Sequence, residues 1–145
     1  MRRPYIPFFI FAMLFTLTIP FSFDVATSVV PGWHSTVLTP FFLITISVAV
    51  ILLIVTIAYW TLAKKVGSTN LTTFIFHFSL TIPTVLFVRA PGLFLTLDGD
   101  DFNVLNRQVT FTTALILTSF ILFVVGQTLF AGYCLKTWRQ KSRTT

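Results

Sequence analysis

Long runs without charged residues constrain this chain more than any other feature of its sequence. Four such runs, of 20, 39, 23 and 28 residues, cover positions 4–23, 25–63, 66–88 and 108–135. A helix needs about 20 apolar residues to cross the hydrocarbon core of a bilayer. The longest run contains Val30-Pro31-Gly32-Trp33-His34, which is typical of a loop, so its spanning part begins near Val37. The sequence therefore predicts four transmembrane helices, at about 5–23, 37–63, 70–88 and 108–135.

Composition agrees with a membrane protein and excludes a soluble domain. The chain is 55% hydrophobic and 10% charged, with a mean hydropathy of +0.90, whereas soluble domains are about 25% charged. Only helices and closed barrels satisfy their backbone groups in lipid, and residues 44–55 lack the alternating polarity of a barrel strand. The prediction is an all-α, integral membrane four-helix transmembrane bundle, with residues 1–145 as a single domain. No nucleic-acid partner is expected, despite the net charge of +6.

The basic residues predict how the bundle is oriented. With four crossings, one side of the membrane receives eight basic residues, and the other receives all four acidic residues and only two basic ones. Basic loops stay on the cytoplasmic side, so we predict a multi-pass protein with both termini on the inner side. Residues 1–28 also resemble a cleaved signal peptide, but their apolar run is longer than is usual for one, which favours a retained helix.

The residue types limit the chemistry that the chain could carry. One cysteine, two histidines and no glutamate exclude a disulfide framework and provide no ligand set for a metal, a haem or an iron–sulfur cluster. Asp98, Asp100 and Asp101 resemble the start of a calcium loop, but no acidic residue follows at its twelfth position. We therefore predict a solvated turn there and no metal site.

Two polar residues are predicted to lie inside the membrane, at similar depths. His77 follows Lys65 by twelve residues, and Gln127 precedes Lys136 by nine. An intramembrane ionisable group suggests function, for instance in proton transfer or quinone contact. The alternative is a neutral histidine that is satisfied by Gln127, by a threonine or by a backbone carbonyl. The sequence favours this second interpretation.

A second group of polar residues lies in the predicted connection between helices 1 and 2. Asp24 leaves helix 1 at the membrane edge, and Trp33 and His34 follow Pro31-Gly32. A carboxylate, an indole and an imidazole near apolar helices could bind the headgroup of a quinol. An interfacial tryptophan beside a loop histidine and a helix-end aspartate is the simpler explanation.

Residues 22–40 of this connection resemble a segment of a known family. Ser22-Phe23-Asp24 and Val30-Pro31-Gly32-Trp33-His34-Ser35-Thr36 are similar to a segment of the polysulfide reductase membrane-subunit family, most of all in the quinol-interacting membrane subunits of alternative complex III. The resemblance implies a quinol-handling membrane subunit, with Asp24 and His34 nearest to the quinol or proton-transfer site. It covers about 20 of the 145 residues, and family members have about twice as many helices.

The sequence as a whole predicts a small accessory subunit of a respiratory or electron-transfer complex. Such a subunit would contact lipids and larger membrane subunits, and it would border a quinone at a subunit interface without holding a redox cofactor of its own. It would be an enzyme only as part of a membrane oxidoreductase. A standalone homo-oligomeric carrier or channel is the alternative, and a purely structural membrane anchor is a third.

Overall fold

The computed structural model describes residues 4–19, 25–30, 33–38, 40–67, 69–90 and 102–142, with side chains for 4–19, 42–67, 69–90 and 103–140. Within these ranges there are four helices and one pair of strands. The elements in chain order are α1 (Ile6–Thr18), β1 (Val25–Val30), β2 (Trp33–Leu38), α2 (Pro40–Val66), α3 (Leu71–Arg89) and α4 (Phe102–Ser142).

The helical prediction is confirmed, and three of the four helices are long and apolar enough to cross a membrane. These candidate spans are Phe42–Val66, Leu71–Arg89 and Asn103–Gln140. The fourth helix, α1, is apolar but has only 13 residues, which is about 20 Å at 1.5 Å per residue. It is therefore shorter than a hydrocarbon core of about 30 Å, and the described part of α1 does not reach the predicted end at residue 23.

Proline and backbone pairing explain where the first two helices differ from the prediction. Ile19 is extended, with φ −63° and ψ 122°, because a residue that precedes proline is disfavoured in the helical region. The position of Pro20 therefore explains why α1 ends at Thr18, whereas the predicted helix continues to residue 23. In the predicted start of helix 2, Val37 and Leu38 instead pair with Ala26 and Val25 in an antiparallel hairpin, and α2 begins with a proline, which its first turn tolerates.

The other helix ends follow local capping chemistry. Gly67, with a φ of 70°, follows the last residue of α2, and the left-handed region is the usual conformation for a glycine that closes a helix. Asn70 caps α3 by accepting a hydrogen bond from the Thr72 backbone nitrogen at 3.0 Å. The last helix, α4, extends six residues before and seven beyond the predicted 108–135, because the charged residues there mark the membrane boundary without ending the helix.

The helices pack as two pairs. Helix α1 packs mainly against α2, and α3 mainly against α4, while contacts between the pairs are fewer. Helices α3 and α4 are antiparallel, because residues of increasing number in α3 meet residues of decreasing number in α4. Asn70 meets Tyr133, His77 meets Gln127, and Thr84 meets Ser119. The core between the pairs is largely aromatic, and it contains the polar group described next.

Candidate functional site: an imidazole network inside the bundle

His77 lies at the centre of the bundle and binds side chains from two other helices. Its Nδ1 atom is 3.1 Å from the Tyr59 hydroxyl of α2, and its Nε2 atom is 3.1 Å from Oε1 of Gln127 in α4. His77 is 3% exposed and Tyr59 is 1% exposed. The two residues that the sequence singled out in the membrane, His77 and Gln127, are thus brought into direct contact.

The remaining bonds define which atoms donate and which accept. The Thr81 hydroxyl donates to the His77 carbonyl oxygen at 2.7 Å, so its oxygen is left to accept from Gln127 Nε2 at 3.4 Å. This orients the Gln127 oxygen towards His77, whose Nε2–H then donates to it. The unprotonated Nδ1 accepts from the Tyr59 hydroxyl. We call these four residues the imidazole network, and a neutral imidazole gives every member a partner.

Aromatic rings enclose the imidazole on both faces. The ring of Phe11 in α1 stacks on His77 with a centroid distance of 4.7 Å and an interplanar angle of 21°. On the other face, Phe130 of α4 stacks at 4.4 Å and 12°. Tyr59 stacks on the same two phenylalanines, at 5.0 and 4.4 Å, and Phe74 meets Phe11 and Tyr59 edge-on. This aromatic cluster takes side chains from all four helices, so it joins the two helix pairs.

The network lies within the apolar stretches of the candidate membrane spans, several residues from their basic ends. Tyr59 precedes Lys64 by five residues, and Gln127 precedes Lys136 by nine, which corresponds to about 8 and 14 Å along a helix. A polar group at this depth has no water to bind, so its partners must come from the protein. The network provides them, and the described residues contain no buried side-chain polar atom without a partner.

A glycine lets α3 and α4 approach each other beside the histidine. A Cβ atom on Gly126 would lie 3.0 Å from Leu80 Cβ and 3.6 Å from His77 Cδ2. The same region opens sideways into a groove of about 290 Å³ between α3 and α4. Both His77 nitrogens are hydrogen-bonded, to Tyr59 and to Gln127. His77 therefore lines the groove with the carbon edge of its imidazole ring. The groove is lined by Thr72, Thr73, Phe76, His77, Leu80, Gly126, Leu129, Phe130 and Tyr133.

The candidates in the connection between α1 and α2 are placed only in part. Asp24 lies outside the described residues, as do Asp98, Asp100 and Asp101. Trp33 and His34 lie in β2, where their backbones pair with Val30 and Val29, and their side chains are outside the described set. A pocket formed by Asp24, Trp33 and His34 therefore stays a prediction. Within the described ranges, no three metal-ligating side chains come together.

Sequence reasoning missed Tyr59 and Thr81, although each had a signal. Tyr59 is a phenol inside the apolar run of predicted helix 2, five residues before Lys64. Thr81 follows His77 by four residues, which places both on one helix face. The phenylalanines that enclose the imidazole had no such signal, because the chain has 18 phenylalanines and nothing local separates Phe11 and Phe130 from the others.

Comparison with known proteins assigns no family to this arrangement. The chain matches no protein-family model, and no curated protein or solved structure is significantly similar to it.

Proposed function

We propose that this chain is a small accessory subunit of a membrane complex and binds a larger membrane subunit through α4. The observation that carries the proposal is the uncovered surface of this helix. In the most apolar 18-residue stretch of α4, only 22% is buried inside the bundle. The corresponding shares are 44% for α2 and 39% for α3. Large apolar side chains along the side that faces away from the bundle are more than half exposed. We call this side the outer face of α4, and it comprises Leu117, Ile121 and Val124.

The length of α4 favours a protein over lipid as the main cover of this helix. The pairing with α3 places Arg89 near residue 115, so α4 continues for about 13 residues, or about 20 Å, past the end of α3. Val104, Val109 and Phe111 on this extension are 43%, 45% and 65% exposed. Lipid tails cover about 30 Å of a helix, whereas the 41 residues of α4 measure about 62 Å. A partner subunit would cover the apolar surface that extends beyond the tails.

The imidazole network supports a subunit rather than a carrier. Carriers bind substrates at polar groups near the middle of the membrane, typically beside broken helices. Here the polar groups of His77, Gln127 and Thr81 bind one another, and stacked rings occupy the space around them. Residues in this arrangement hold helices together, as an assembly subunit requires.

Photo-crosslinking tests the proposed partner surface. A photoreactive residue at Ile121 or Val124 of the outer face should give one discrete crosslinked product with another membrane subunit. The same residue at Ile54 of α2, which is 61% exposed, is the control and should give lipid adducts only. A product formed by two copies of this chain would favour the homo-oligomeric carrier or channel. Equal crosslinking from α2 and α4 would contradict a partner surface on α4.

The respiratory part of the proposal rests on residues 22–40 and their resemblance to quinol-handling subunits. In this proposal His34 would hydrogen-bond a quinol ring oxygen, and Asp24 would accept or orient the released proton. The substitution Asp24→Asn keeps the side-chain shape and removes its charge, so quinol oxidation by the purified parent complex should fall while the complex remains assembled. His34→Gln should act in the same way. Unchanged activity in both variants would leave a purely structural subunit.

Membrane orientation is the last part of the proposal. Both termini would lie on the cytoplasmic side, because the clustered basic residues favour that side. Single cysteines placed at Thr27 and Gly99 should react with an impermeant reagent added from outside, and a cysteine at Ser68 should not, each in a chain whose Cys134 has been replaced. Labelling of Ser68→Cys from outside would reverse the orientation.

A further inference from the structure

A second surface at the basic end of the bundle combines an apolar groove with exposed basic side chains. The α3–α4 groove of about 290 Å³ is near the lower end of the usual size of ligand pockets. A second concavity of about 400 Å³ lies further along α4, at Gly132, Leu135, Lys136, Arg139 and Gln140. Helix α4 contributes residues to both concavities.

Helical spacing places the two concavities along one side of α4. Leu129 and Tyr133 line the groove, while Lys136 and Gln140 line the second concavity. These four residues follow one another at intervals of four, three and four, which places them on a single helix face. From Leu129 to Lys136 the helix rises about 10 Å. The face therefore changes from apolar through a phenol hydroxyl to a cationic group over that distance.

The neighbouring side chains place the cationic part at the level of lipid headgroups. Trp138 is 46% exposed, and Lys65 lies 5.8 Å from the centre of its ring. Tryptophan and lysine at the end of a span are typical of the membrane interface. Lys136 and Arg139 lie one turn or less from Trp138, and both side chains are exposed.

We propose that this surface is a binding site for one anionic phospholipid. An acyl chain would lie in the groove along Phe76, Leu80 and Leu129, and the phosphate would bind Lys136 and Arg139. The polar end of the groove fits the glycerol region of the lipid, since the hydroxyls of Thr72 and Thr73 line it, and the Tyr133 hydroxyl, which accepts from the Asn70 backbone nitrogen, can still donate. A cationic site next to an apolar groove complements a negatively charged amphiphile. This inference does not depend on the proposed partner subunit.

Native mass spectrometry of the full chain tests the site by counting bound lipids. With phosphatidylglycerol and phosphatidylcholine in competition, the chain should retain one phosphatidylglycerol in preference. Each basic residue near an anionic headgroup contributes a factor of about five in affinity. The double variant Lys136→Gln, Arg139→Gln should therefore bind phosphatidylglycerol about 25-fold more weakly.

Two matched controls separate a specific site from a generally basic surface. Lys64 is at the same end of the bundle, 5.7 Å from the centre of the Trp60 ring, and Lys64→Gln should leave the preference intact. Thr73→Phe should fill the groove and weaken binding with every charge retained, while Thr113→Phe on the exposed surface of α4 should not. Equal retention of the two lipids would overturn the proposal. So would an equal loss from Lys64→Gln, or full binding by Thr73→Phe.

Discussion

The substitution His77→Ala is expected to lower the free energy of unfolding of the bundle by about 3–5 kcal/mol, the range of large-to-small changes at buried rings. It would leave a cavity between Phe11 and Phe130, which stack on the two faces of the imidazole. It would also remove a hydrogen-bond partner from Tyr59 and one from Gln127, and a buried polar group without a partner is costly. Unfolding in mixed micelles, followed by circular dichroism, measures the change.

Phe76→Ala is the control for the His77 substitution. Phe76 precedes His77 on α3, but its ring is 66% exposed, so its loss should change the stability by less than about 0.5 kcal/mol. If both variants unfolded at the same denaturant concentration, the result would contradict the conclusion that the aromatic cluster joins the two helix pairs.

Removing a single hydroxyl separates the contribution of hydrogen bonding to the stability of the bundle from the contribution of ring stacking. Tyr59→Phe keeps the ring between Phe11 and Phe130 and removes only the donor to His77. Hydrogen bonds between transmembrane helices contribute about 0.6 to 1.7 kcal/mol, so this variant should lose far less stability than His77→Ala. Tyr5→Phe makes the same chemical change at a residue that is 43% exposed and should have no measurable effect.

The second large effect is expected at Gly126, where α3 and α4 are in close contact. Gly126→Leu should be less stable than Gly132→Leu by about 1–3 kcal/mol, which is the usual cost of overpacking. A side chain at 126 would meet Leu80 Cβ at 3.0 Å, whereas a Cβ at 132 has no atom within 4 Å. Both substitutions remove a glycine from the interior of the same helix, so their effects on helix propensity cancel in the comparison.

Crosslinking between α3 and α4 gives an independent measurement of the same effect. In Gly126→Leu the helices should separate, so disulfide formation between cysteines placed at Thr84 and Ser119, whose side chain and backbone are 2.8 Å apart, should slow. It should be unchanged in Gly132→Leu. Equal stability and equal crosslinking in the two variants would contradict a close approach at Gly126.

The sequence by itself determined the number of helices and most of their extent. Charge-free runs indicated four apolar segments, and the described helices lie at each of them. Local chemistry also determined several ends, since Pro20 follows the last turn of α1, Asn70 caps α3 and Gly67 ends α2. These features depend on residues a few positions apart and not on the fold, although the ends predicted from charge-free runs alone, at residues 23 and 63, differ from the observed Thr18 and Val66.

The sequence predicted similar depths for His77 and Gln127 from their distances to the nearest lysines, and the structure brings the two side chains into contact. The contact between His77 and Tyr59 could not be predicted in this way. It requires α2, α3 and α4 to face one another with particular sides, and the packing of the whole bundle determines which sides those are. The backbone hairpin that contains Trp33 and His34 likewise depends on pairing between two segments, which the composition of either segment alone does not specify.

Only the tertiary structure decided which faces of the helices are buried, and the physical reason lies in the solvent. In water, a helix buries its apolar stripe, so its sequence indicates the face that turns inward. In lipid, the surroundings are as apolar as the core, and association depends on close packing and on hydrogen bonds between helices. Phe11 is fully buried while Phe9 is 66% exposed, because only Phe11 meets the ring of His77.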